Sequence, residues 1–124
     1  MATGTLIAES LRPGTALADL DLTVHEIRRV ETELGPEQRA AGLPELWTLI
    51  EFEVADERAG GFAEVLSTAL DEPGWYADFH ADDRSWVVFA GRVFAYQRGD
   101  ADGRAEAEAH ARASGVPDAQ LDWP

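Results

Sequence analysis

Residues 75–97, WYADFHADDRSWVVFAGRVFAYQ, decide the architecture. Runs of aromatic and β-branched residues at 75–80, 85–89 and 92–97 are separated by the turn-forming stretches Ala81-Asp82-Asp83-Arg84 and Ala90-Gly91. That pattern predicts an antiparallel meander of three strands. Closing both turns fixes the register, and counting by twos then assigns every side chain to one of two faces. One face collects Trp75, Ala77, Phe79, Trp86, Val88, Val93 and Ala95 and is entirely apolar. The other collects Tyr76, Asp78, His80, Ser85, Val87, Phe89, Arg92, Phe94 and Tyr96, a mixture of rings and charges.

Outward from the meander, residues 46–54 (LWTLIEFEV) alternate as a further strand, with Thr48, Ile50, Phe52 and Val54 on one side and Trp47, Leu49, Glu51 and Glu53 on the other. Residues 56–70 read as a helix: Asp56 caps it, Phe62, Val65, Leu66, Ala69 and Leu70 form its apolar stripe, and Pro73-Gly74 ends it. Residues 104–113 alternate strictly, yet Ala, Glu and Arg are strong helix formers, and Gly115 and Pro117 supply a stop, so composition outweighs period and a second helix is predicted. Its charges fall at i,i+4 as Arg104/Glu108, Glu106/His110 and Glu108/Arg112.

The N-terminal half is less regular. Residues 5–11, stopped by Pro13-Gly14, read as a short edge strand. Residues 20–34 carry both strand-like and helix-like spacing; their β-branched content favours a long, half-exposed strand that pairs with 46–54 across a surface loop at 35–45. The tail 115–124 is expected to dock through Leu121 and Trp123. The sum is one α+β domain over 1–124: a predominantly antiparallel sheet of five or six strands with two helices packed on one face.

Composition bounds the chemistry. The 124 residues hold 10 Arg and no Lys against 24 Asp and Glu, a formal net charge of −14, and no Cys. With 45% hydrophobic residues, such a chain can fill a core without disulfides or metal staples. The absence of Cys and Lys excludes thiol nucleophiles, cysteine metal sites, Schiff bases and phosphate-loop lysines. Charge and the lack of any basic cluster beyond Arg28-Arg29 argue against nucleic acid as a partner. The first residues carry no basic region and only a short apolar run, and no stretch reaches membrane-spanning length, so a cytoplasmic protein without a membrane partner is expected.

The mixed sheet face carries the functional expectation. Rings supply contact area and a few convergent charges supply orientation, which is what a binding surface requires. Trp47, Tyr76 and Tyr96 are expected to wall a site in which Glu51, Asp78, His80 and Arg92 orient a small molecule or a protein partner, with no cofactor. Two other classes stand beside this one. His80 with Asp78 or Glu51 has the residue types of an acid/base enzyme, and the acidic surface suits an inhibitor or immunity-type protein that binds a basic partner. Asp78, His80 and Asp82 share one strand side and would offer metal ligands, but the following residues do not fit a calcium loop, and Asp82-Asp83 serves a turn without metal. An ordinary solvated sheet face, or one covered by the N-terminal strands as a second core, accounts for the same residues with no ligand. Trp86, on the apolar face, is expected in the core.

Overall fold

The computed structural model describes the backbone of every residue except Pro73, Asp122 and Pro124, and every remaining side chain except that of Ala119. The strands are β1 (Ala2–Ile7), β2 (Thr23–Glu31), β3 (Leu46–Val54), β4 (Tyr76–His80), β5 (Arg84–Phe89) and β6 (Arg92–Gln97). They form a six-stranded sheet in the order β2-β3-β1-β4-β5-β6, with every neighbouring pair antiparallel. The helices are α1 (Pro36–Ala40), α2 (Asp56–Ala69) and α3 (Ala101–Ala113), so the chain is α+β. No helix among the described residues is long and apolar enough to cross a membrane.

The meander closes in the register that its turns predict, with Phe79 opposite Trp86 and Val88 opposite Val93. Alternation then brings Phe52, Phe79, Trp86 and Val88 onto one face, where Ala59, Phe62, Ala63 and Leu66 of α2 pack on them. Phe52, Phe62 and Phe79 meet with ring centroids 5.2 to 5.8 Å apart, and Trp86 stacks on Phe79 at 5.3 Å. The N-terminus of α2 differs from expectation. Ala55, not Asp56, is the capping residue and supplies no side-chain bond; Asp56 sits in the first turn and pairs with the N-terminal ammonium at 3.0 Å. Pro73, expected to stop this helix, lies outside the described residues.

β1 corrects the expected edge strand at 5–11. It begins at Ala2, ends at Ile7 and runs through the sheet interior between β3 and β4. The chain then leaves the sheet in a 3-10 turn, Ala8–Ser10, whose Ser10 hydroxyl donates to the Ile7 carbonyl at 2.5 Å. Beyond it, the Arg12 amide and Nε each donate at 2.8 Å, to the carbonyls of Ala69 and Leu70, so this segment holds the end of α2 in place of extending β1. Glu9 in the turn accepts from the Thr48 amide (2.6 Å) and hydroxyl (2.9 Å). Burial acts to raise its pKa, but those two bonds, with the backbone amide of Glu9 and the charge of Arg29, together outweigh it and leave the carboxyl below its ordinary range. β2 forms as the sequence leans, and it is an outer strand paired only with β3.

The expectation of two helices on one face is also corrected. α2 covers one face, whereas Ala107 and Ala111 of α3 pack on Val87, Phe89, Phe94 and Tyr96 of the other, forming a second core with Val116, Leu121 and Trp123. Four large apolar side chains on that half of the face hold more surface than water tolerates, and the alanines of α3 let a helix lie close enough to cover it. Gly103 shows how close: a Cβ there would stand 2.6 Å from the Tyr96 Cβ. The tail packs into this core with Leu121 and Trp123 buried, and bonds run from Arg112 to Asp118 (2.9 Å) and from Arg104 to the Leu121 carbonyl (3.2 Å).

His110 packs its ring 4.6 Å from Phe89 and 5.5 Å from Phe94, and burial, with Arg92 nearby, lowers its pKa from 6.5. A histidine depressed in the folded state binds its proton more readily once unfolded. The contribution of His110 to stability is therefore full above about pH 6.5 and is lost as the pH drops through the folded pKa. Urea unfolding at stepped pH is expected to show that decline in the wild type and a shallower one in His110→Gln; equal slopes would contradict it.

Candidate functional site

α3 covers the mixed face over β5 and β6, and the tail reaches Tyr76 of β4; the rest of the face over β3, β1 and β4 carries, among the described residues, no helix packed flat on it. There the register sets Glu51, Thr5 and Asp78 in one row across three strands, and Glu53, Thr3 and His80 in the next. Beside the first row lies a cavity of about 290 Å³. Its floor is Thr5, Ile7 and Leu49, its walls are Trp47, Trp75 and Tyr76, and Asp78 closes one side. Gln38 and Leu43, from α1 and the turn after it, and Gln120 from the tail complete the rim.

The walls are held before anything binds. The Trp47 indole donates to the Pro44 carbonyl at 2.7 Å, and its ring leans on Trp75 with centroids 5.5 Å apart. The Tyr76 hydroxyl donates to the Gln120 carbonyl at 2.8 Å, and its ring meets Trp123 edge-on at 5.6 Å. Gln38 is buried and accepts from the Gly35 amide at 3.1 Å, which fixes the start of α1. Asp78 is the one charged side chain that lines the cavity among the described residues.

The residues singled out in the sequence separate into groups. Trp47, Tyr76 and Asp78 converge on the cavity. Glu51 and His80 share a neighbouring depression of about 380 Å³ with Thr3, Thr5 and His25. Glu51 also faces Arg28 at 3.7 Å, and His25 pairs with Glu53 at 3.1 Å. Tyr96 does not join either group: it is 5% exposed beneath α3, where burial pushes its phenol above the ordinary value against the opposing effects of Arg104 and its hydrogen-bonded neighbour Ser85, with Asp78 adding to the rise. Arg92 stands apart as well, at the start of β6 with its guanidinium 4.8 Å from the Phe94 ring centroid.

Trp75 corrects the face count. Strand geometry begins only at Tyr76, so Trp75 escapes the alternation and its ring lies against Trp47 at the cavity, away from the α2 core. Gln38, Leu43 and Gln120 escaped sequence reasoning because they arrive through long-range contacts of what reads as a surface loop and a tail. The turn content of 35–45 conceals α1, for which Pro36 at the first helical position was the available signal.

The Nδ1 atom of His80 is buried without a hydrogen-bonding partner among the described residues, so no carboxylate orients the imidazole through that nitrogen. No group of three or more His, Asp or Glu among the described residues is placed to hold a metal ion, and Asp82, in the exposed turn, does not close on Asp78 and His80. Comparison with known proteins matches no family model, no curated protein and no solved structure.

Proposed function

We propose that the protein is a non-catalytic binding module whose site is the cavity walled by Trp47, Trp75 and Tyr76 and edged by Asp78. The observation that carries this reading is the convergence of three pre-positioned rings and one carboxylate on a concave space of about 290 Å³. A cavity of that size suits a small molecule, and rings already held by hydrogen bonds and neighbours lose little freedom when a ligand enters. Its electrostatics select the ligand class. Aromatic faces and a carboxylate attract a cation, and a chain of net charge −14 adds long-range attraction of the same sign. The ligand is therefore a small organic cation with an apolar or ring-bearing body, its charged end at Asp78.

Tryptophan fluorescence titrated with benzyltrimethylammonium and, separately, with benzoate tests this. The cation is expected to perturb emission saturably and the anion is not. Asp78→Asn is expected to weaken the cation about tenfold or more, and Trp47→Ala comparably. Equal binding of benzoate, or an unaltered Kd in Asp78→Asn, would overturn the reading.

A further inference from the structure

The outer strand β2 offers a different surface from the cavity. Its residues 23–31 are all exposed except Val30, and Ile27 and Val24 are among the most exposed large apolar side chains, at 64% and 50%. They lie on the side of the sheet that bears α2, since Val24 stands opposite Phe52 and Ile27 opposite Ile50. A nine-residue edge strand that shows apolar side chains to water is a template for another strand.

The backbone of β2 presents the groups that such pairing needs. The Thr32 amide donates to the Glu45 carbonyl at 2.7 Å, and the register continues from there through Val30 opposite Trp47, Arg28 opposite Leu49 and Glu26 opposite Glu51. Bonded pairs alternate in an antiparallel ladder, so Val30, Arg28 and Glu26 turn their amides and carbonyls towards β3. Glu31, Arg29 and Ile27 turn theirs outward.

We infer that β2 pairs with β2 of a second copy of this chain, antiparallel about a two-fold axis at Ile27, joining two sheets into one. Charge complementarity selects both the occupant and the register. With Ile27 opposite its own symmetry mate, Glu26 faces Arg28 of the second copy, and the two-fold repeats that opposite-charge pair on the other side. Moving the axis to Arg29 would set two arginines face to face and bring Ile27 against Glu31, an unfavourable alternative. Residues 23–31 carry Glu26 and Glu31 against Arg28 and Arg29, so the strand has no net charge with His25 neutral, although the chain carries −14. Two copies can therefore approach along it without net local repulsion. Within one chain Arg28 already lies 3.2 Å from Glu26 and 3.7 Å from Glu51 of β3, so Glu26 exchanges one arginine for another when the second copy docks. About this axis Glu26, Ile27 and Arg28 of the two copies pair directly, and the bulge between Val24 and Glu26 lies opposite Arg29 of the second copy, so the regular ladder is confined to residues 26–28.

Sedimentation equilibrium of the full chain over micromolar to millimolar concentrations tests the inference. The wild type is expected to reach twice the chain mass of 13.5 kDa. Ile27→Lys is expected to weaken association about tenfold or more, and so is Arg28→Glu, which sets like charges opposite each other twice. Combining Glu26→Arg with Arg28→Glu in one chain restores opposite charges across the axis and is expected to recover the dimer, a result that loss of folding in the single variants cannot mimic. A wild type that stays monomeric throughout, a dimer indifferent to Ile27→Lys, or a double variant as weak as Arg28→Glu would each overturn it.

Discussion

Trp86→Ala is expected to lower the stability of the folded chain by about 3–5 kcal/mol, the range for removing a large aromatic side chain from a packed core. Trp86 is 6% exposed and lies nearly parallel to Phe79, with 5.3 Å between ring centroids and 13° between planes. Phe79 in turn contacts Phe52 and Phe62, so the indole is the outer plate of a continuous aromatic stack between the sheet and α2. Arg84 also approaches the indole, its guanidinium carbon 5.7 Å from the ring centroid, a weaker contribution that Ala also removes. The cavity cannot close by collapse, because β5 is locked in register with β4 on one side and β6 on the other. Urea unfolding measures the effect as a lower midpoint at unchanged slope. Trp47→Ala provides the contrast: that ring is half-buried at the cavity, and its loss is expected to cost less stability while it impairs binding. A Trp86→Ala variant within 1 kcal/mol of wild type would mean that the stack contributes little.

That core was legible because a period of two, once two tight turns fix the register, leaves no freedom in face assignment. Phe79, Trp86, Val88 and Val93 follow from counting alone, and so do Ile50 and Phe52 of β3. The same arithmetic misplaces Trp75, since a strand that starts one residue later releases the preceding side chain from the alternation. Half of the open face was legible for the same reason: Trp47, Tyr76 and Asp78 share a side by parity, and their convergence follows once β1 joins β3 to β4. Tyr96 and Arg92 share that parity too, but parity says nothing of distance across a sheet or of cover. Tyr96 lies under a helix whose own alternating alanines carry no direction, since a stripe of Ala suits either face. Val87, Phe89, Phe94 and Tyr96 were the available signal that the mixed face is mainly apolar over β5 and β6, whereas its carboxylates lie over β3 and β4. The rim residues Gln38 and Gln120 depend on where a loop and a tail return to the sheet, and no local pattern encodes that.

Gly4→Ala is expected to damage the fold as severely as loss of the tryptophan, through excess volume where the other removes it. Gly4 lies in the middle of β1, opposite Phe52 on one side and Phe79 on the other. Glycine weakens a strand interior, and here that weakness makes β1 resemble an edge. Its missing side chain lets the rings of Phe52 and Phe79 meet over the strand, 5.8 Å apart. A Cβ at this position would stand 2.5 Å from the Phe79 Cβ and 2.6 Å from the Asp78 carbonyl oxygen. Neither atom is the end of a flexible side chain, so β1 and β4 must move apart. Overpacking commonly costs 1–3 kcal/mol, and a clash with backbone belongs at about 3 kcal/mol or above. The contact itself supplies a control. Phe79→Ala retains both clashing atoms, so it cannot relieve Gly4→Ala, and the double variant is expected to be less stable than either single one. Because Asp78 edges the cavity and Thr5 floors it, a displacement of β1 from β4 also distorts the site, and a folded Gly4→Ala is expected to bind benzyltrimethylammonium more weakly than wild type. Urea unfolding combined with that titration decides the matter: wild-type stability together with wild-type affinity would show that the strands accommodate a methyl group and that the close approach of β1 to β4 is not required.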